Sequence, residues 1–312
     1  MEISIIIVTF NSSPFIEACI ESIFKQVKGM DYELILVDNA SKDKTCRLIE
    51  ERFPKTILIR NDSNEGFAKA NNLALQRAKG DFILLVNPDT EWKKGELKEA
   101  IQFLKTHSEI EALGCRLIFE DGSWQKSYGN FPTLTREIKE AFYLPRIFPQ
   151  SQWMKGVYAY QDNSEPEPVD WISCTFLLFK KEMLKEVGFL DDQYFMYYED
   201  IDLSRRIREK GKEIYYFPKI EVIHYQNRTS LIDFGESPYI YFNKFFGFDF
   251  ARKLRYVLLI KAFLRVLIFL PLAFFSTKVV FREKLRSNYH TFIFHLFEAC
   301  KVLRSLTFGS ER

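Results

Sequence analysis

Cysteine is scarce in this 312-residue chain: Cys19, Cys46, Cys115, Cys174 and Cys300 stand far apart, and no CxxC pair occurs. That spacing argues against a disulfide framework or a cysteine zinc site and points to reduced thiols of a cytosolic protein. Net charge is slight, at +2. With neither paired Cys/His fingers nor an RNP-type run, no nucleic-acid partner is expected. The start, MEISIIIVTF, lacks the basic stretch of a secretory signal and reads as a buried strand. Thirteen Gly and eleven Pro, with no repeat, are too few for a collagen-like or disordered chain. No Gly-rich, Lys/Arg-bearing phosphate loop lies near the start, which weighs against a nucleotidyltransferase.

Hydrophobic residues make up 47% of the chain and charged ones 28%, a globular composition. Aromatics reach 16%, and the 31 Phe crowd into the last third. Charge is uneven. Residues 244–312 hold 13 Lys/Arg against 4 Asp/Glu, and the rest hold 31 against 38. A basic, Phe-rich tail on a mildly acidic body suits an anionic surface, membrane headgroups first.

Apolar runs predict strands at Ser4–Phe10, Glu33–Val37, Thr56–Arg60 and Phe82–Val86. Helical spacing predicts helices over Phe15–Val27, Asp43–Phe53 and Phe67–Ala78. The alternation implies an α/β fold with a mostly parallel sheet flanked by helices. The stretch from about 115 to 168 is less regular, with a turn signal at Asp121-Gly122. A strand is predicted at Trp171–Phe179 and a helix at Lys181–Val187. A helix from about Asp200 to Gly211 and short strands at Glu213–Phe217 and Glu221–His224 follow.

Polar residues gather where ligands bind in such sheets, at the carboxyl ends of the strands. They are Thr9 and Asn11, Asp38 and Asn39, Asn61 and Asn64, and Asn87 and Asp89. Asp43 reads equally as a helix cap or a functional carboxylate. Asp89, beyond a buried strand and a proline turn, suits a hard oxygen ligand for Mg²⁺ or Mn²⁺ already held by a diphosphate. Glu199, Asp200 and Asp202 open a helix directly after the aromatic run Tyr194–Tyr198. They either complement the helix dipole or, partly desolvated, include a general base. His224 reads as a core histidine or a ligand.

These segments together resemble the family 2 glycosyltransferases. The resemblance rests on Ser4-Ile-Ile-Ile-Val-Thr-Phe-Asn11, Val37-Asp-Asn-Ala-Ser-Lys-Asp-Lys-Thr45 and Asn64-Glu-Gly-Phe-Ala-Lys-Ala-Asn-Asn72. It continues through Val86-Asn-Pro-Asp-Thr90, Phe195-Met-Tyr-Tyr-Glu-Asp-Ile-Asp-Leu203 and Val222-Ile-His224. The nearest branch is similar to bacterial rhamnosyltransferase-type enzymes of cell-surface polysaccharide assembly. The resemblance covers about residues 3–230 and implies a GT-A (Rossmann-like) fold, with a catalytic domain over 1–240; the tail's own pattern adds a C-terminal amphipathic helical region over 241–312. The catalytic domain would have a donor half at about 1–115 and an acceptor half at about 116–240. It implies an inverting transfer from a nucleotide-sugar donor, dTDP-rhamnose in this branch, to a glycan or lipid-linked acceptor. Thr9, Asn11, Asp38, Asn64, Gly66, Asn71 and Asn87 would then line the donor site. Asp89, closing a DxD-type motif whose first position is Asn87, would hold the metal with His224. Asp200 would be the base, with Glu199 and then Asp202 next in line. Trp171, Asp170 and Asp202 are acceptor-side candidates, joined by Tyr194, Phe195 and Tyr197 as an aromatic wall. A UDP-hexose donor, or a catalytically silent sugar-nucleotide or membrane-binding module, is the alternative.

In the tail, Lys261 and Arg265 share one helix face opposite Tyr256, Leu259, Ile260, Phe263, Leu267 and Leu270, and Pro271 interrupts the pattern. The charges oppose a membrane span. The pattern fits a helix lying in the membrane interface through 252–275, at the inner face of the cell membrane. A helix buried on the catalytic domain or a homodimer interface is the other reading.

Overall fold

The computed structural model describes residues 1–142, 144, 148, 162–225, 235–275, 282, 284–286 and 288–297. Cys300 and the end of the tail lie outside the described residues. The chain divides into two compact units, one of residues 1–131 and 160–228, the other of 132–159 and 229–312.

The first unit is built on one mixed sheet. Strands β1 (Ile3–Thr9), β2 (Tyr32–Asp38), β3 (Ile57–Arg60) and β4 (Phe82–Val86) run parallel in the order β3-β2-β1-β4. Helices α1 (Ile16–Gln26), α2 (Thr45–Arg52) and α3 (Phe67–Leu75) connect them. The sheet continues beyond β4 through β11 (Phe176–Lys180), β6 (Ile110–Ile118), β12 (Glu213–His224) and β5 (Thr90–Lys94). Here β11 is antiparallel to both β4 and β6, β12 is parallel to β6, and β5 is antiparallel to β12. Short strands β7 (Trp124–Gln125) and β9 (Glu167–Pro168) attach to β6 and β12, and β8 (Tyr128–Gly129) pairs with β10 (Trp171–Ile172).

The two-residue period of β1 explains why both faces are covered. Ile3, Ile5 and Ile7 pack with Ile16, Cys19, Ile20 and Ile23 of α1 and with Leu97, Ile101 and Leu104 of α4 (Leu97–Thr106). Ile6 and Val8 join a second core with Ala68 and Ala74 of α3, Met183 of α6 (Met183–Val187), and Leu203 and Ile207 of α7 (Glu199–Glu209).

The helices and strands through β4 fall within a few residues of the sequence expectation. Among the elements that do not appear in it are β5, α4 and β6, the short strands β7, β8 and β9, and the helices over Leu134–Ala141 and Ser237–Phe246. For α4 the signal was present, as apolar residues at 97, 100, 101 and 104 lie one helical face apart and all are buried. The predicted strand Trp171–Phe179 is two strands, because Ser173 and Thr175 form a local turn in which the Ser173 hydroxyl accepts from the Thr175 amide at 3.1 Å. The two strands predicted at Glu213–Phe217 and Glu221–His224 are one, with a register shift between Phe217 and Glu221 that accommodates Pro218.

The second unit is helical: α5 (Leu134–Ala141), α8 (Ser237–Phe246) and α9 (Phe248–Phe275). Pro271 does not end α9; it costs the bond to the carbonyl four residues back, and only four residues of helix follow it. Ile260, Phe263, Leu267, Leu270 and Phe274 are all exposed, Phe274 to 82%. Among the described residues no helix is long and apolar enough to cross a membrane.

One buried polar network fixes the start of the first unit. Ser4 on β1 donates to Glu33 at 2.5 Å, and its oxygen accepts the Gly80 amide at 2.7 Å. Gly80 is held so close that a Cβ there would lie 2.3 Å from the Ser4 nitrogen. Replacing Ser4 with Ala strands the Gly80 amide, so Ser4→Ala should destabilise the fold by about 1–3 kcal/mol. Urea unfolding measures it, and an unchanged midpoint would show that the network carries no net stability.

Candidate active site

The strand order places a switch point between β1 and β4, where the connections turn from one side of the sheet to the other. Four of the sequence-selected groups meet at this end of the sheet. Thr9 and Asp38 are in register on β1 and β2, both buried, and the Thr9 hydroxyl donates to Asp38 Oδ1 at 2.9 Å. Asp38 Oδ2 accepts the Ser41 amide at 2.9 Å. Asn11, left-handed at φ 51°, accepts the Lys42 amide at 2.8 Å, while its own amide donates to Ser41 Oγ at 2.8 Å. Asp43 serves this corner as a cap. Burial pushes its carboxyl up, but hydrogen bonds from Thr45 and Ser13 outweigh it and hold the group at about 2.

Asn39, buried, donates to the Gly66 carbonyl at 3.1 Å and accepts from Asn61 at 2.8 Å. Asn64 accepts the Gly66 amide at 3.0 Å. Asn71 is buried and bonds the Phe67 carbonyl one helical turn back. Gly66 has φ +84°, and a Cβ there would sit 2.5 Å from the Phe195 carbonyl oxygen. That same oxygen accepts the Phe67 amide at 2.7 Å. Only glycine permits this contact, which seats the Asn64–Gly66 turn on the aromatic loop. Asn72 adds a second tie, exchanging hydrogen bonds with the backbone of Leu190 at 2.7 and 3.1 Å.

The loop from 194 to 198 delivers the acidic cluster. Tyr197 and Tyr198 are both left-handed, at φ 66° and 70°. Such backbone is costly for bulky residues and is held only where surroundings enforce it. Glu199 and Asp200 then open α7. Glu199 is 5% exposed and its Oε2 has no hydrogen-bond partner. Burial, then the neighbouring Asp200 charge, pushes its carboxyl well up. Asp200, partly buried, is raised by burial to about 6, opposed by the amides of Ile201 and Cys174 that donate to its carboxylate. Burial thus disfavours two charges on this pair, and the two carboxyls titrate as a coupled unit. The Tyr197 hydroxyl is pushed up first by burial and then by the charges of Glu199 and Asp89, which places it within electrostatic reach of both.

The Ser173–Thr175 turn links this pair to the end of β4. The Asn87 amide donates to the Thr175 carbonyl at 3.0 Å, and its side-chain Oδ1 is buried without a partner. Two residues on, Asp89 Oδ2 lies 3.4 Å from His224 Nε2. Pairing of β5 with β12 makes this contact, setting His224 opposite Thr90 across 134 residues of sequence. The other ring nitrogen, Nδ1, faces Gln125 Oε1 at 3.2 Å. Among the described residues no three His, Cys, Asp or Glu side chains gather as a metal site. The Asp89–His224 pair brings two side chains able to ligate a metal within 3.4 Å of each other. Two donors at bonds of about 2.1 Å to one cation sit roughly 3 Å apart. The pair fits a cation whose remaining ligands are phosphate and water oxygens.

The acceptor-side candidates are dispersed. Asp202 is fully buried in an ion pair with Arg206 at 2.6 Å, and Arg206 also holds the carbonyls of Val187 and Phe189. Asp170 accepts the Phe131 amide at 3.0 Å. Trp171 donates to the Asn130 carbonyl at 2.9 Å, with Lys126 over its ring. Tyr194 is buried, whereas Phe195 and Met196 are exposed. The sequence reading did not single out Gln125, Asn39 as a tie to Gly66, Asn72, or the Cys174 amide. Each acts through a contact between distant segments, which spacing along one chain does not display.

A model described as glycosyl transferase family 2 matches residues 4–188, more than half of the chain. The chain is 28% identical over 237 residues to the N-acetylglucosaminyl-diphospho-decaprenol L-rhamnosyltransferase of Mycobacterium tuberculosis, covering 72% of this chain and 76% of that one. Its fold resembles the mannosyltransferase PcManGT from Pyrobaculum calidifontis, solved with GDP-Man and Mn²⁺, at TM-score 0.55 and 16% identity over 96% of this chain and 87% of that one. It also resembles GalNAc-T7, solved with UDP, GalNAc and Mn²⁺, at TM-score 0.56 and 15% identity over 77% of this chain but only 47% of GalNAc-T7. The chain belongs to glycosyl transferase family 2 and is a glycosyltransferase of the GT-A fold.

Proposed function

We propose that this enzyme transfers L-rhamnose, with inversion, from dTDP-rhamnose to a hydroxyl of a lipid-linked or growing cell-surface glycan. The donor and acceptor classes follow the mycobacterial relative, whose name specifies an L-rhamnosyltransferase acting on a diphospho-decaprenol-linked sugar. The observation that carries the mechanism is the Glu199–Asp200 pair. Buried at a helix start, it leaves Asp200 as a carboxylate raised to about 6, close to the pH at which a general base works best.

The catalytic domain spans 1–240. Thr9, Asn11 and Asp38 form the nucleoside end of the donor site, with Asn64, Gly66 and Asn71 toward the sugar and diphosphate. Asp38 keeps lone pairs for the base after accepting from Thr9 and Ser41. Asp89 and His224 would hold a divalent metal, Mg²⁺ or Mn²⁺, and the Asn87 side-chain oxygen two residues before Asp89 is buried without a hydrogen-bond partner. Bound there, the metal supplies Lewis-acid stabilisation of the leaving diphosphate. Asp200 takes the proton of the acceptor hydroxyl as its oxygen attacks the anomeric carbon in line, and the nucleoside diphosphate departs. Glu199, whose carboxyl burial and the Asp200 charge push up, adjoins the base and titrates with it. Asp202, spent on Arg206, holds α7 in place.

The C-terminal region 241–312 rests on the inner face of the cell membrane through 252–275, where the lipid-linked acceptor is presented. Supporting this are the exposed apolar side chains of α9 and the local excess of Lys and Arg. The full-length chain should co-sediment with vesicles containing phosphatidylglycerol and far less with neutral ones. A dimer that ignores both would instead put a second copy on this face.

Replacing Asp200 with Asn keeps the shape and removes the base. Asp200→Asn should lower turnover by roughly 10²–10⁴-fold while leaving donor affinity nearly unchanged. Transfer assays with isothermal titration of dTDP-rhamnose measure both, and turnover above a few per cent of wild type would move the base elsewhere.

A further inference from the structure

The Asp121-Gly122 turn stands out in the sequence, yet nothing in the donor or acceptor reading uses it. In the structure it closes a hairpin. Gly122 is left-handed at φ 78°, its amide donates to the Phe119 carbonyl at 2.9 Å, and the Phe119 amide donates to the Ser123 carbonyl at 2.9 Å. The returning strand β7 pairs with β6 at Leu117↔Gln125 and Ile118↔Trp124. Just beyond it the Ser127 hydroxyl donates to the Cys115 carbonyl at 3.0 Å. On the other side β6 pairs with β12, at Leu117↔Val222 and Ile118↔Ile223. The hairpin thus holds Gln125 one strand away from His224, where its side chain reaches across to the imidazole.

Gln125 is 7% exposed and His224 is also 7% exposed, so water does not replace this contact freely. With Oε1 turned to Nδ1 at 3.2 Å, the contact is a hydrogen bond when a ring hydrogen sits on Nδ1. In the Nδ1–H tautomer the lone pair lies on Nε2, the atom 3.4 Å from Asp89. We propose that Gln125 is a positioning residue: it fixes the tautomer and the orientation of His224 so that Nε2 is presented as a donor atom toward Asp89. The consequence for metal binding rests on the reading of Asp89 and His224 as the cation's protein ligands. The tautomer does not rest on that reading. A partner on the far nitrogen of a ligating histidine is a general requirement, and its loss typically weakens metal binding by 10–100-fold.

The test is nitrogen-15 NMR of the histidine rings in the metal-free full-length protein at pH 8, with His224 assigned by substitution. Wild type should show His224 protonated on Nδ1. Gln125→Met, similar in length but unable to accept, should shift the ring to a mixture or to the Nε2 form. Gln125→Glu, which restores an acceptor oxygen, should return it to Nδ1. Mn²⁺ affinity in the presence of dTDP, followed by electron paramagnetic resonance, should fall about 10–100-fold in Gln125→Met. A wild-type His224 protonated on Nε2 would overturn the proposal without any variant. So would a Gln125→Met protein that keeps the Nδ1 form and binds Mn²⁺ within about twofold of wild type. Should wild type bind no Mn²⁺ with dTDP, the metal reading fails, and the tautomer result alone decides the role of Gln125.

Discussion

Two carboxylates adjacent in sequence cannot both ionise when little water reaches them, and the site is organised around that constraint. At the start of α7, Glu199 and Asp200 sit within one turn of a helix whose amides favour negative charge. The helix end and the Cys174 amide favour one charge, and burial opposes a second. The surroundings of the two carboxyls differ. Glu199 points an oxygen into a buried space without a donor, whereas Asp200 receives amides from two segments. The result is two carboxyls in different surroundings, coupled in titration, from residues that look equivalent in sequence.

The rest of the first unit holds this pair beside the strand ends. Parallel winding sets Thr9, Asp38 and Asn87 at one edge of the sheet. The antiparallel strand β11 then begins at the turn that links Asn87 to Asp200. Meanwhile β5 carries the chain away from Asp89 and pairs with β12, returning His224 to within 3.4 Å of it. Gly66 closes the remaining gap, since only a residue without Cβ lets the Asn64–Gly66 turn rest on the Phe195 carbonyl. The Asn64–Gly66 and Glu199–Asp200 segments, well over a hundred residues apart, are therefore one packed structure, and the two left-handed tyrosines mark where that packing is enforced against local preference.

Much of this was legible in the amino-acid order. The β-branched run from Ile3 to Val8 can scarcely be anything but a buried strand. The polar residues that stop each of the first four strands were legible as gathering at the carboxyl edge of the sheet. The sheet beyond β4 was harder to read. Strand β5 is Thr-Glu-Trp-Lys-Lys, too polar to declare itself, and becomes a strand only because β12 lies beside it. The break between β10 and β11 depends on a hydroxyl turn, and the continuity of β12 through Pro218 on a tolerated irregularity. Asp202 shows the same limit within the site. Its spacing beside Asp200 suggested shared chemistry, but Asp202 is one turn ahead of Arg206 and pairs with it. Gln125 carried no signal at all, because its significance lies in a ring 99 residues away.

The dependence of kcat/KM on pH tests the central claim most directly, because it reports the ionisation of the free enzyme's base. Burial raises Asp200 above the ordinary carboxylate range, so the base is lost to protonation earlier as pH falls than an exposed carboxylate would be. Activity should be level near pH 7–8 and fall with an apparent midpoint of about 6, a value belonging to the Glu199–Asp200 pair. A profile that stays flat down to the ordinary carboxylate range near 4 would contradict the account.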